Sequence, residues 1–292
     1  MASFNDKYNE YLSEFNEVLN GFCNGLDCRP QLLADSLKYS LMLGGKRIRP
    51  VLTFAVGDLL GIDRAKLKNF ALAIELIHTY SLIHDDLPEM DNDDFRRGKP
   101  SNHKVFGTGN AVLAGDGLLN TAYSLLLKEC HKGAEYVSAA EFICDCAGVY
   151  GMIAGQSADL MHENDKSFNE PTLEFIYENK TAKLLTAPVV VPGILGGGKY
   201  YSELKAFGSS LGFLFQITDD ILDVEGDFSK LGKSIGKDEK EGKYTSVALY
   251  GLDGSKLKAD FLAEKCTNII ESIGGDNEFL LQLVSFVRSR RG

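Results

Sequence analysis

The sequence predicts an all-α fold built as a single domain over residues 1–292. Three observations carry that expectation. Apolar side chains recur at steps of three and four through several long segments, strand-like alternation is nowhere sustained, and no linker rich in Pro, Ser or charge divides the chain. With only 7 Pro and 30 Gly, there is little material for the many turns of a β-sandwich.

Taken in order, residues 1–19 read as an acidic helix with no basic leader and no apolar run, so no secretory signal is expected and the chain is assigned to the cytoplasm. Between residues 67 and 86, Ala73, Leu76, Ile77, Tyr80 and Ile83 share one helical face. Segments 111–129, 139–155 and 173–190 are long and helix-like. Between residues 209 and 224, Leu214, Ile217, Ile221 and Val224 form a second apolar stripe. The irregular stretches, 89–108 and 226–244, are rich in Asp, Lys and Gly, and each follows an aspartate-rich helix end. Long polar loops beside a rigid scaffold commonly carry sites.

The formal charge is −10, from 31 basic and 41 acidic residues. An excess of acid argues against a nucleic-acid surface, which depends on basic residues at phosphates, but it leaves a small anionic substrate open. No uncharged apolar stretch of bilayer-spanning length is apparent. Six cysteines (Cys23, Cys28, Cys130, Cys144, Cys146, Cys266) lack a Cys-x2-Cys pair, so free thiols are expected rather than a disulfide or zinc framework.

Two aspartate clusters stand out. The first, His84-Asp85-Asp86-Leu87-Pro88-Glu89-Met90-Asp91, ends an apolar helix. Pro88 disfavours helical geometry at Leu87, so the chain turns there and swings Asp91 toward Asp85. In the second, Gln216, Asp219, Asp220 and Asp223 fall at i, i+3, i+4 and i+7 on one helical face. Like charges at that spacing repel, and such a stripe wants a cation. Hard oxygen donors favour Mg²⁺ or Mn²⁺ over zinc. One acidic cluster alone is as well read as a solvated face; two, each followed by Lys/Arg-rich sequence, point to a site.

Basic groups interleave with these acids. Gly44-Gly45-Lys46-Arg47-Ile48-Arg49-Pro50 reads as a helix stop, a basic turn and a new helix with Pro50 at its first position. Arg96-Arg97-Gly98-Lys99 follows the first cluster, and Lys233, Lys237 and Lys243 follow the second. Lys180-Thr181 adds a cation and a hydroxyl, and His78 lies two turns before Asp85. Gly193-Ile194-Leu195-Gly196-Gly197-Gly198-Lys199 fits the nucleotide P-loop spacing, but Tyr200 replaces the required Ser or Thr and no strand precedes it. A glycine-punctuated helix terminus is the better reading. The basic 287–291 tail and the N-terminal helix are expected to be solvated surfaces.

The ordered set Gly44-Gly45-Lys46-Arg47-Ile48-Arg49-Pro50, Asp85-Asp86-x4-Asp91, Arg96-Arg97-Gly98, Gly155-Gln156-x2-Asp159-Leu160, Lys180-Thr181 and Phe215-Gln216-x2-Asp219-Asp220-x2-Asp223 resembles the trans-isoprenyl diphosphate synthases across residues 38–245. The four-residue gap between Asp86 and Asp91 is similar to that of bacterial-type farnesyl and plant-type geranylgeranyl diphosphate synthases. The resemblance implies the isoprenoid synthase fold, a helical bundle around a deep central cavity, and a homodimer. It implies Asp85, Asp91 and Asp219 as Mg²⁺ ligands, with Asp86 and Asp223 supporting them. It further implies Lys46, Arg49, His78 and Arg97 around isopentenyl diphosphate. Arg96, Lys180, Thr181, Gln216, Lys233 and Lys243 would surround the allylic diphosphate. Lys183 departs from the pattern, where a small or apolar residue is common.

The implied chemistry is ionisation of an allylic diphosphate, condensation with isopentenyl diphosphate and loss of a proton. Its catalytic residues would be Lys180, Thr181, Gln216, Asp85 and Asp219. At about 1.5 Å rise per residue, Ser81 and Tyr80 lie only about 6–8 Å below Asp85. Ser81 is small, whereas Tyr80 is bulky and is expected to stop the chain at C15, farnesyl diphosphate. The alternatives are geranylgeranyl diphosphate synthesis, a terpene cyclase, which would not need the Lys46/Arg49/His78 group, and a non-catalytic regulatory subunit, which would be expected to lose aspartates from one cluster.

Overall fold

Capping chemistry opens the chain. In this computed structural model, which describes residues 3–163, 167, 169–225, 243 and 245–290, α1 (Phe4–Gly25) starts with a capping box. The Asp6 N–H donates to Ser3 Oγ at 3.2 Å, and the Ser3 N–H donates to the Asp6 carboxylate at 3.1 Å. Contrary to the solvated-surface expectation, α1 buries Tyr11, Phe15, Leu19 and Cys23. These recur every four residues, and that stripe was there to be read. Helices α2 (Gln31–Met42), α3 (Ile48–Leu60) and α4 (Arg64–Asp85) follow. Pro50 is the third residue of α3, not the first. The preceding turn needs Arg47 in the left-handed region, at φ 49°, before the helix begins.

The central element is α4. Its expected apolar stripe widens into burial on most sides, including the consecutive run Phe70, Ala71, Leu72, Ala73 and Ile74. The reason is its company: α3, α6 (Thr108–Cys130) and α10 (Lys183–Leu195) pack around it. Beyond Asp85 the chain makes a two-stranded antiparallel hairpin, β1 (Phe95–Arg96) with β2 (Lys99–Pro100), then the short α5 (Asn102–Phe106).

The segment 139–155, read as one helix, is two. Gly148 and Gly151 adopt non-helical backbone between α7 (Ala134–Ala147) and α8 (Met152–Met161). Length and composition alone would let Ala134–Met161 cross a bilayer, but this break interrupts it and α7 buries Tyr136, Ala139, Ala140 and Ile143. The segment 173–190 likewise divides, into α9 (Glu170–Ile176), a π-helical stretch Tyr177–Ala182, and α10. The glycine-rich 193–199 stretch ends α10, as expected of helix punctuation, although Pro188 and Pro192 lie inside that helix. Then come α11 (Tyr201–Glu225), α12 (Ser246–Ile273, kinked at Gly251) and α13 (Glu278–Ser289). Val224, placed on the apolar stripe of α11, is exposed. Buried apolar side chains from α1 to α13 form one continuous cluster, and all six cysteines are free.

The turn before α3 is tied to α4 by a buried ion pair, Arg47 Nη1 to Glu75 Oε1 at 2.6 Å, with side-chain exposures of 3% and 1%. Arg47 also donates to the Leu41 carbonyl. Removing one partner of such a pair strands a charge in the core. Glu75→Leu should lower unfolding stability by about 3–5 kcal/mol in urea titration. The double variant Arg47→Met/Glu75→Leu should recover most of that loss.

Candidate active site

A cavity of about 660 Å³ opens between α4, α6, α8, the π-helical stretch and α11. Of the sequence-predicted residues, Arg49, His78, Tyr80, Ser81, Asp85, Lys180, Thr181, Gln216 and Asp219 line it. Lys243 lines a smaller adjoining cavity with Asp159, Asp220, Lys180, Thr181 and Gln216. Lys233 and Lys237 lie outside the described residues.

The first cluster forms as the chain leaves α4. The Leu87 N–H donates to His84 O and the Met90 N–H to Leu87 O, turning the chain at Pro88. The Asp91 N–H then donates to Asp85 O at 2.8 Å, so Asp91 returns to Asp85. Burial pushes the Asp85 carboxyl up to about 6, with Asp91 and Asp86 adding to the effect and Lys180 opposing it. The Lys243 ammonium reaches Asp91 Oδ1 at 2.8 Å from 152 residues away.

Arg96 does not face the cavity as an uncommitted cation. Its guanidinium clasps buried Asp86, with Nε 2.9 Å from Oδ1, and reaches Asp93 at 3.4 Å. The hairpin that carries Arg96 therefore buttresses the first cluster. Arg97, at φ 54°, instead donates to the Gly44 carbonyl, joining the hairpin to the basic turn.

The second cluster is divided by helical geometry. Asp219 faces the large cavity, while Asp220 and Asp223 are buried. Asp220 accepts from Tyr177 Oη, from the Ser246 N–H at 2.8 Å and Oγ at 2.8 Å, and from Gln216 Nε2 at 3.0 Å. Burial nonetheless pushes its carboxyl up to about 7. Gln216 Oε1 accepts from Thr181 Oγ1 at 2.8 Å, so Thr181, Gln216 and Asp220 form one chain of hydrogen bonds.

Lys180 and Thr181 project from the π-helical stretch, whose position is set by close backbone approach. A Cβ on Gly155 would collide with the Lys180 backbone, and one on Gly212 with Ala182. Lys180 Nζ lies 2.5 Å from Asp159 Oδ2. Burial pulls the Lys180 ammonium down, but Asp159, Asp85 and Asp91 outweigh it and the net shift is upward. Lys183, the departure from the family pattern, begins α10 and lines a different groove with Lys205 and Tyr201.

A second group gathers around Arg49. Burial, with Glu75 opposing and Arg97 adding, pushes the Arg49 guanidinium down to about 10, and its Nε has no partner. Arg97 is likewise pushed down to about 10, by burial and then by Arg47. His78 is held well below the usual histidine range by burial and by Arg49, Arg97, Arg47 and Arg96. Its imidazole can offer an anion a hydrogen bond. Lys46 is exposed overall, while partial desolvation of its ammonium, with Arg290 adding and Asp219 opposing, lowers its pKa.

Sequence reasoning gave no role to several residues of this site. Tyr177 and Ser246 hold Asp220, and Asp159 holds Lys180; only Asp159 stood within a quoted motif. The Gln156 amide lines the cavity with both polar atoms buried and unpartnered. Its motif was visible, its isolation was not. Arg290, expected to be solvated, is buried against Asp219 instead.

Among the described residues, no three His, Cys, Asp or Glu side chains converge into a ready-made metal cage. Asp85 and Asp219, which line the cavity, are hard oxygen donors that fit a divalent ion such as Mg²⁺, which takes one or two carboxylates and completes its shell with waters and phosphate oxygens.

A model of the polyprenyl synthetase family matches residues 30–274. The chain belongs to the polyprenyl synthetase family. Over 284 residues, 96% of this chain and 93% of the relative, it is 43% identical to the farnesyl diphosphate synthase of Geobacillus stearothermophilus. Over 239 residues, 80% of this chain and 64% of the relative, it is 44% identical to a chloroplastic geranylgeranyl pyrophosphate synthase of Capsicum annuum. The solved geranyltransferase of Helicobacter pylori, complexed with magnesium and isoprenyl diphosphate, superposes with a TM-score of 0.83 at 30% identity, covering 98% of this chain and 97% of that one. This polyprenyl synthetase therefore shares the all-α isoprenoid synthase fold.

The depressed His78 pKa has a thermodynamic consequence. The unfolded chain takes up a proton at His78 near pH 6.5, whereas the folded protein resists it to lower pH. Stability from this group is present above the unfolded value and is lost as pH falls below it. Thermal melts should show His78→Gln losing less stability than the parent between pH 7 and pH 5, by up to about 1.4 kcal/mol per pH unit.

Proposed function

We propose that this chain is a Mg²⁺-dependent farnesyl diphosphate synthase. It joins dimethylallyl or geranyl diphosphate head-to-tail to isopentenyl diphosphate and releases (2E,6E)-farnesyl diphosphate. The observation that carries this reading is one cavity lined by Asp85 of α4, Asp219 of α11 and Lys180 at its polar end, with Tyr80 deeper along α4.

Asp85 and Asp91 would hold Mg²⁺ from one side and Asp219 from the other, with Asp86 and Asp223 as supports; Mn²⁺ suits the same oxygen donors. The bound ion supplies Lewis-acid withdrawal of charge from the leaving diphosphate. Lys180, fixed by Asp159, adds a positive charge at the same end of the cavity. Lys243 sits beside Asp91 and is assigned to the same diphosphate, and Lys233 is assigned there from the motif. Arg96 serves that end indirectly, through Asp86.

Isopentenyl diphosphate is assigned to Arg49, Arg97, Lys46 and His78. Arginine forks suit diphosphate oxygens, and the buried Arg49 Nε lacks an acceptor. The His78 imidazole would contribute a hydrogen bond. As the allylic C–O bond breaks, the Thr181–Gln216 pair and the unpartnered Gln156 amide offer dipoles to the developing cation. No side chain in the cavity stands out as a base for the last proton, which leaves the departing diphosphate to take it.

Tyr80 supports C15 over C20. Its ring is 6% exposed and packs edge-on against His84 at 5.7 Å between centroids. Leu119 and Asp116 of α6 line the same region, and Ser81 offers no obstruction. A homodimer in the cytoplasm belongs to this proposal. Large apolar side chains left exposed on and beside α6 to α8, among them Leu113, Leu127, Val149 and Met161, favour a covered face.

Purified chain with labelled isopentenyl diphosphate and each allylic starter should yield mainly C15 product by mass. A main product of C20 at saturating isopentenyl diphosphate would replace this reading with geranylgeranyl diphosphate synthesis. Tyr80→Ala should lengthen the product by at least one C5 unit. Arg49→Ala should lower the condensation rate by at least about 100-fold, comparable to losing a transition-state donor; Mg²⁺-dependent diphosphate release without condensation, unchanged in Arg49→Ala, points to a terpene cyclase.

A further inference from the structure

Arg290, after the end of α13, reaches Asp219 at the edge of the cavity, and the sequence pattern of α13 explains how. Leu280, Leu283, Val284 and Val287 recur at helical spacing and are buried. They dock α13 on α11, α12, α1 and α3. Arg290 immediately follows the helix, and its guanidinium carbon lies 3.8 Å from the centre of the Phe215 ring. Nη2 donates to the Phe215 carbonyl at 2.6 Å and stands 2.7 Å from Asp219 Oδ1. The Arg290 side chain is 4% exposed, whereas Asp219 retains 35%. Arg290 Nε is buried without an acceptor.

This pairing joins the carboxylate that lines the cavity to a cation anchored from outside it. The rim contact would gain little from such a pair if it served only to hold α13, because the apolar stripe already does that. Its effect on the cavity is direct. A guanidinium at 2.7 Å neutralises Asp219, so an incoming divalent ion meets a pair of zero net charge instead of an isolated carboxylate. Lys46, whose ammonium is also lowered by Arg290, adds to the positive character of that wall. A diphosphate entering with the ion restores the missing negative charge.

We propose that Arg290 is a positioning residue that serves Asp219 as an internal counter-cation, weakening uptake of a divalent ion at the second aspartate cluster unless diphosphate accompanies it. This rests on the reading of Asp219 as a metal-binding carboxylate. Arg290 sets the coupling between ion and diphosphate, and its influence is exerted through Asp219.

The test is Mn²⁺ binding to the full-length, metal-free protein, measured by the electron paramagnetic resonance of free Mn²⁺ with and without inorganic pyrophosphate. Without pyrophosphate, Arg290→Gln should bind Mn²⁺ about tenfold more tightly than the parent, the lower range for a charge-assisted contact. Arg290→Lys should stay near the parent. With pyrophosphate present, the gap between Arg290→Gln and the parent should close to within about threefold. Arg290→Met keeps apolar contact with Phe215 and should behave as Arg290→Gln does, which covers the case that the glutamine variant folds poorly. Unchanged or weaker Mn²⁺ binding in both variants without pyrophosphate overturns the proposal. Asp219→Asn separates the two ideas: if it leaves Mn²⁺ uptake with pyrophosphate unaltered, the metal reading of Asp219 falls and the proposal with it.

Discussion

Negative charge held at a poorly solvated cavity is the constraint on which the rest of this structure depends. Isolated carboxylates so placed are costly, and several of them facing one another are costlier. Several of them have a dedicated cationic partner. Asp86 takes Arg96, Asp91 takes Lys243, Asp159 takes Lys180 and Asp219 takes Arg290. Asp220, deepest of them, receives uncharged donors from Tyr177, Ser246 and Gln216. Its raised pKa follows from burial that those donors offset only in part.

That requirement accounts for features that otherwise look like unrelated irregularities of an all-helical protein. The hairpin β1–β2 interrupts the helical succession and carries Arg96 to Asp86. The π-helical stretch Tyr177–Ala182 departs from α-helical geometry where Tyr177, Lys180 and Thr181 must all face functional partners. Gly155 on α8 and Gly212 on α11 permit neighbouring backbones to close on that stretch. A π-helical turn, with i→i+5 hydrogen bonds, is frequently found at functional sites, and here Tyr177 on it meets Asp220 and Lys180 meets Asp159. Docking of α13 brings the last of the counter-cations. The same arrangement leaves the cavity divided in character, with acids and their cations at one end and Tyr80, Leu119 and Met152 among its less polar lining.

Much of this was legible in residue order. The i, i+3, i+4, i+7 spacing of Gln216, Asp219, Asp220 and Asp223 placed them on α11, and Pro88 forecast the return of Asp91 to Asp85. What the spacing could not reveal is that a single helical face is shared unequally between two surroundings. Asp219 meets the cavity, while Asp220 lies against Tyr177 and Ser246, elements 43 and 26 residues away. Arg96 was visible as a cation but not as the partner of Asp86, because that choice depends on a hairpin only two residues long on each strand. The solvated reading of the 287–291 tail failed for a related reason. Charge density argued for water, and the apolar stripe of α13 immediately before it decided the matter the other way.

By itself, the sequence determined the helical class, the two acidic clusters, the basic turn before α3 and the resemblance that these carry in order. Those properties are local: periodicity, turn chemistry and motif spacing operate within a few turns of chain. Only the tertiary structure decided which cation balances which acid, that His78 is held below the usual histidine range, that Gln156 is left unpartnered and that Arg290 lies over Phe215. Each of those depends on burial and on contacts between elements distant in sequence. The electrostatic character of a group is set by what surrounds it in three dimensions, and the surroundings are assembled only when the helices pack.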